Sequence, residues 1–140
     1  MAEIEKPIPR VNDLTRPFWE AAAKGELVVQ RCKSCGAFIW CPRATCVECG
    51  GDQLEWIAVT GRGTVFSFTV VREALGRRAR SFEKEIPYIV AWIELEEGPR
   101  LCSNVVGCEI DKVAIGMPVE VVFQEAGRDI YLPKFRPRSG

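Results

Sequence analysis

In "YIVAWIELEEG", Ile89, Ala91, Ile93 and Leu95 fall on one side of the chain and their neighbours on the other. A period of two marks a strand with one face on a core, and Gly98 signals the turn that follows. From Trp56 onward most of the chain reads this way. In "GTVFSFTVVREA", Phe66, Phe68 and Val70 are expected on one face, with Ser67 and Thr69 on the other. "RLCSNVVG" and "MPVEVVFQEAG" continue the pattern, with turn signals near Gly107, Gly116 and Gly127. "CEIDKVAIGMP" has room for one short helical turn. About five short strands with no long helical pattern predict a mainly β chain. A small closed or partly open barrel satisfies them best, because closure removes exposed edges.

The first third differs. "RPFWEAAAKG" reads as a short helix with Thr15 as N-cap, Pro17 in the first turn and Gly25 as the stop. At roughly two turns it cannot be stable alone and must dock through Phe18 and Trp19, on the chain's own core or on a partner. "ELVVQRC" then reads as a strand.

That strand leads into "QRCKSCGAFIWCPRATCVECGG", which holds five of the seven cysteines. Four form two Cys-x-x-Cys pairs, Cys32 with Cys35 and Cys46 with Cys49, each followed by a glycine. A thioredoxin-like site needs one pair opening a helix in a βαβ unit, which is not present here. Two facing Cys-x-x-Cys turns supply the four thiolates of tetrahedral zinc, and Gly36 and Gly50 permit the tight ligand turns. The spacer from Cys35 to Cys46 is short but accommodates a hairpin arm. A four-thiolate site has no open position and makes the metal a poor Lewis acid, so the zinc is read as structural. Cys41 is expected to be a semi-buried free thiol in the arm. Cys102 and Cys108 read as small core or loop residues.

Composition narrows the function. Nineteen basic residues balance nineteen acidic ones, so no global field draws the chain to nucleic acid or an anionic membrane. No apolar run is long enough for a membrane span. The N-terminal "MAEIEKPIPR" has no apolar segment of the secretory type. With an odd cysteine count this points to a reducing compartment, the cytoplasm. The chain has no histidine, which removes the commonest general base. Two stretches are locally basic: "REALGRRARSFEKE", with Arg72, Arg77, Arg78, Arg80 and Lys84, and the closing "PKFRPR", with Lys134, Arg136 and Arg138. A solvated charged face is the default for both. Arg77, Arg78 and Arg80 are also candidates for gripping phosphate groups or an acidic partner surface.

"RPFWEAAAKGELVVQRCKSCG", "CPRATCVECG", "GRGTVFSFTVV", "IGMPVEVVF" and "LPKFRP" together span nearly the whole chain. In that order they resemble the zinc-ribbon plus OB-fold proteins of the family called domain of unknown function 35. Cys41 is a departure, since the family more often has a bulky residue before the proline–arginine pair. The resemblance implies an N-terminal helical arm (1–29), a rubredoxin-like zinc ribbon (30–55) and an OB-fold barrel (56–140). It also implies a non-catalytic accessory subunit of a thiolase-like or aldolase acyl-CoA enzyme, with acyl-CoA handled at the subunit junction and Arg77, Arg78 and Arg80 as candidate contacts for the CoA phosphates or the partner. The competing class is a single-stranded nucleic-acid-binding module, since ribbons and OB folds both serve that role, but neutral charge counts against it. The closing "LPKFRP" is expected to complete the barrel. Phe38, Ile39 and Trp40 form an apolar run that a small ribbon can hardly bury by itself, so they join Phe18 and Trp19 as expected partner contacts.

Overall fold

The computed structural model describes residues 5–139, so the first four residues of the expected arm lie outside the described residues. The helix α1 runs Arg16–Ala23. Thr15 holds the N-cap position and Pro17 the first turn, as expected, but the capping bond is of another kind. Thr15 makes no forward side-chain cap; its Oγ1 instead accepts from the Asn12 N–H at 3.2 Å, while Asn12 Oδ1 accepts from the Thr15 N–H at 2.9 Å. The end is as expected: Gly25 has φ 81°, and the Gly25 and Glu26 N–H groups return to Ala22 and Ala21. That is a glycine-closed helix terminus of the Schellman type.

Three strands follow: β1 (Val28–Cys32), β2 (Phe38–Ile39) and β3 (Leu54–Ala58), in the order β2-β1-β3 and antiparallel throughout. All five residues of β1 pair with β3, from Val28↔Ala58 to Cys32↔Leu54. The boundary expected between residues 55 and 56 therefore falls inside one strand of this sheet.

The remaining strands are β4 (Arg62–Val71), β5 (Tyr88–Leu95), β6 (Arg100–Val105), β7 (Pro118–Gly127) and β8 (Ile130–Pro137). They close a barrel in the order β4-β5-β6-β8-β7. Closure depends on one parallel contact, Val105↔Phe135, reinforced by the Val106 N–H on the Phe135 carbonyl at 2.7 Å. Phe135 is fully buried, so the basic tail does complete the barrel. A short 3-10 turn, Ile110–Lys112, lies in the stretch where a helical turn was anticipated. A second 3-10 segment, Ala79–Glu85, follows the arginine loop and had no counterpart in the sequence reading.

The alternation of β5 is as read: Ile89, Ala91, Ile93 and Leu95 are all buried. In β4 the expected face is broken. The β4–β5 register slips between Val65 and Ser67, leaving Phe66 at an irregularity. Phe68 and Val70 pair with the inward Ala91 and Ile89, though Phe68 itself stays exposed, and the Phe66 ring lies outside under the Arg100 guanidinium, 3.8 Å from its centroid. An extra residue reverses the parity of everything beyond it.

Arm, ribbon and barrel share one core. Phe18, Leu27 and Val29 belong to the same buried cluster as Val65, Ile93, Leu101, Val119 and Phe135. No helix among the described residues is long and apolar enough to cross a membrane.

Candidate metal centre and the junction beside it

The two Cys-x-x-Cys turns are built alike. The Gly36 N–H donates to the Cys32 carbonyl at 2.8 Å, and the Gly50 N–H to the Cys46 carbonyl at 2.9 Å. The Cys32 N–H returns to Ala37 at 2.9 Å and the Cys46 N–H to Gly51 at 2.8 Å. Gly36 and Gly50 have φ of 78° and 77°, a left-handed conformation that a side chain would strain. Each turn thus projects two sulfurs inward from one local backbone motif.

All four Sγ atoms lie within 4.8 Å of one another. Cys32 and Cys49 are 3.6 Å apart, as are Cys35 and Cys46. Four sulfurs at about 2.3 Å from a central tetrahedral ion stand roughly 3.8 Å apart, so the cluster is already the size of a four-thiolate metal site. Backbone N–H groups at Cys35 and Ser34 hold the Cys32 thiol down at about 6. At Cys35 the Ala37 N–H pulls the other way from its neighbours, but the crowd of sulfurs led by Cys46 pushes the thiol up to about 12. Cys49 is likewise raised, the Gly51 N–H being outweighed by Cys32 and burial. Four thiolates cannot share so small a volume without a cation at its centre. Four thiolates complete a tetrahedral set and leave no ligand position for water, so the arrangement suits holding a fold together and not activating water.

One residue of this site gave no sequence signal. Gln30, on β1, is a buried polar side chain. Its Nε2 donates to the Arg43 carbonyl at 2.9 Å and its Oε1 accepts from the Arg43 N–H at 2.7 Å. This two-bond clamp ties the segment entering the second knuckle to the strand that ends in the first. The partner of Gln30 lies 13 residues away in sequence, and only the fold brings the two together.

The remaining candidates separate. Phe18 and Ile39 are 4% and 2% exposed and belong to the interior, which corrects their expected role as surface contacts. Ile39 packs with Cys32 and Cys46 in the ribbon's own small core. Phe38 and Trp40 pack, half-buried, against the shared core, and the Trp40 ring sits 5.1 Å from that of Phe18. The ribbon does not need a partner to cover this run, because the arm and barrel cover most of it. Trp19 and Trp40 still line a cleft of about 300 Å³ with Pro42, Cys102 and Pro133, where arm, ribbon and barrel meet. Cys41 is exposed, not semi-buried. Cys102 is exposed on the barrel's outer face opposite Trp92, and Cys108 is a half-buried loop thiol. Arg77, Arg78 and Arg80 are exposed, at and just before the 3-10 segment Ala79–Glu85 and away from the sulfur cluster.

A closed four-cysteine ribbon packed on a five-stranded barrel defines a zinc-ribbon–OB-fold protein. Residues 19–55 match the family model for the rubredoxin-like zinc ribbon domain of ChsH2, and residues 56–124 match that for the ChsH2 C-terminal OB-fold domain. A DUF35 domain-containing scaffold protein of Methanothermobacter thermautotrophicus is 35% identical over 92% of this chain and 99% of its own length. The chain belongs to the DUF35 family. A probable enoyl-CoA hydratase alpha subunit of Thermomonospora curvata is 38% identical over 94% of this chain, which spans only 40% of that longer protein. The solved structure of an Ltp2–ChsH2(DUF35) aldolase superposes with a TM-score of 0.78 at 36% identity, covering 93% of this chain and 98% of that one.

Proposed function

We propose that the chain is a non-catalytic subunit that assembles with a larger acyl-CoA enzyme of thiolase or aldolase type, with one structural zinc on Cys32, Cys35, Cys46 and Cys49. The observation that carries this is the match over nearly both full lengths to the DUF35 chain of an aldolase. Two features of this chain support it. The sulfur cluster is closed, and no histidine is available as a general base. Surfaces then remain as the working parts.

The half-buried aromatics at the three-way junction, Trp19 and Trp40, are the proposed partner anchors, with Phe38 beside them. Large aromatics at the edge of a preformed cleft lose little entropy on binding and commonly dominate an interface. The exposed Arg77, Arg78 and Arg80 are proposed to meet the anionic CoA moiety or an acidic partner surface, acting through charge. A cytoplasmic setting fits the free thiols Cys41, Cys102 and Cys108.

The test is co-purification with the co-encoded acyl-CoA enzyme, followed by steady-state kinetics of the reconstituted complex. The isolated chain is expected to show no acyl-CoA cleavage. Trp40→Ala should weaken assembly, while Arg77→Glu with Arg78→Glu should raise the apparent KM for acyl-CoA more than it lowers kcat. Turnover by the isolated chain would overturn the non-catalytic reading. Wild-type assembly and kinetics in both variants would overturn the assigned surfaces.

A further inference from the structure

A larger cavity adjoins the junction cleft where β5 begins and β6 ends, and Asn104, Leu132 and Lys134 line both. It occupies about 570 Å³ between the 3-10 segment Ala79–Glu85 and the wall formed by β5, β6 and β8. That size is ordinary for a small-molecule site, roughly 300–1,000 Å³. Its lining is largely apolar, with Phe82, Tyr88, Ile89, Ile110 and Leu132 among the walls.

Into this lining β8 sends Lys134, a half-buried lysine. Its Nζ bonds Oδ1 of Asn104. The Asn104 amide nitrogen in turn donates to the Ile89 carbonyl at 2.8 Å. A carbonyl can only accept, so this second bond fixes which end of the amide faces the ammonium. The lysine is thereby held in place by a neutral partner. Among the described residues no carboxylate forms an ion pair with it. Glu85, which also lines the cavity, is paired with Lys6. Lys6, outside the lining, thus takes the carboxylate nearest the cavity. Burial lowers the ammonium's pKa, with Glu85 opposing and Lys6 adding to the effect. A desolvated cation of this kind gains from an added counter-charge.

We propose that this cavity binds a small amphipathic carboxylate, its hydrocarbon body against Phe82, Ile89 and Leu132 and its carboxylate on Nζ of Lys134. The site stands on its own geometry and does not depend on the accessory-subunit reading. Gln124, also in the lining, offers a second polar contact for a carboxylate oxygen.

Titration calorimetry of the full-length, metal-loaded protein with octanoate tests this, with n-octanol as a neutral probe of equal length and backbone NMR to locate binding. Octanoate is expected to saturate, shifting the amides of Tyr88, Val105 and Leu132. Octanol should bind at least about tenfold more weakly, since a charge-assisted bond to the ammonium is lost. Lys134→Met should weaken octanoate by a similar factor and leave octanol unchanged. The comparison of the two probes on the wild-type protein decides the matter even if that variant folds poorly. Absence of saturation at millimolar octanoate, equal binding of octanol, shifts confined to another surface, or wild-type octanoate affinity in Lys134→Met would each overturn the proposal.

Discussion

Gly63→Ala is expected to destabilise the barrel by about 2 kcal/mol, although it adds a single methyl group to a chain segment with no left-handed strain. A Cβ at Gly63 would stand 2.4 Å from the Glu94 carbonyl oxygen and 3.1 Å from both the Glu94 carbonyl carbon and the Leu95 Cα. Carbon–oxygen contacts normally begin near 3.3 Å, so β5 must retreat by roughly 1 Å. The obstacle is backbone, and it has little freedom. Gly63 pairs with Leu95 and Thr64 with Glu94 on one side, while Glu94 pairs with Arg100 on the other. Against an unyielding backbone the overpacking cost falls at the upper end of its usual range, about 3 kcal/mol, and alanine's smaller unfolded-state entropy returns about 0.4–1, leaving about 2. At around 4 °C per kcal/mol for a chain of this size, Tm should fall by roughly 8 °C. Urea denaturation of the zinc-loaded protein measures the free energy, and amide exchange at Leu95 and Glu96 reports whether β5 is the element that yields. Gly76→Ala is the control: it has φ 86° with nothing within 4 Å of the added Cβ, so it meets conformational strain alone, about 1 kcal/mol. A Gly63→Ala protein within about 0.5 kcal/mol of wild type, roughly a quarter of the expected loss, or less affected than Gly76→Ala, would refute the steric account. The Gly-x-Gly-x-Val segment would then need a different explanation from close strand packing.

Three further outcomes are expected. Cys32→Ser should abolish stoichiometric zinc and unfold the ribbon while Cys41→Ser retains both, as elemental analysis and NMR would show, and acidification should release the metal because the ligands must be thiolates. Gln30→Ala removes both partners of the Arg43 backbone in a buried setting, costing about 1–3 kcal/mol and speeding zinc transfer to a chelator, read by a chromogenic competition assay. Arg128→Asn should stabilise the chain by about 0.5–1 kcal/mol in urea unfolding, because Arg128 and Asp129 form the two-residue β7–β8 turn with φ of 54° and 61°, a conformation asparagine tolerates better.

What the sequence determined by itself is the part of this protein governed by near neighbours. A Cys-x-x-Cys-Gly turn aims its sulfurs through local hydrogen bonds, so Cys32, Cys35, Cys46 and Cys49 were legible as one cluster before any fold was known. The β5 alternation is equally local, since its buried face follows from the pleat. Tertiary structure decided whatever depended on distant residues. The irregularity at Phe66 reverses the parity of β4, because register is set by the facing strand and not by the strand's own pattern. Phe18, Ile39 and Trp40 look like a sticky surface when the ribbon is read alone, yet arm and barrel fold onto them and remove most of that surface from water. Gln30 meets the Arg43 backbone only in the closed ribbon. Lys134, one of three basic residues in a tail, shares a strand face with Arg136 and differs from it through its neighbours: Arg136 meets Glu120 across the hairpin, while Lys134 meets Asn104 and a cavity. Its environment is made by strands 30 residues away, a distance over which sequence pattern has no information about dielectric or charge.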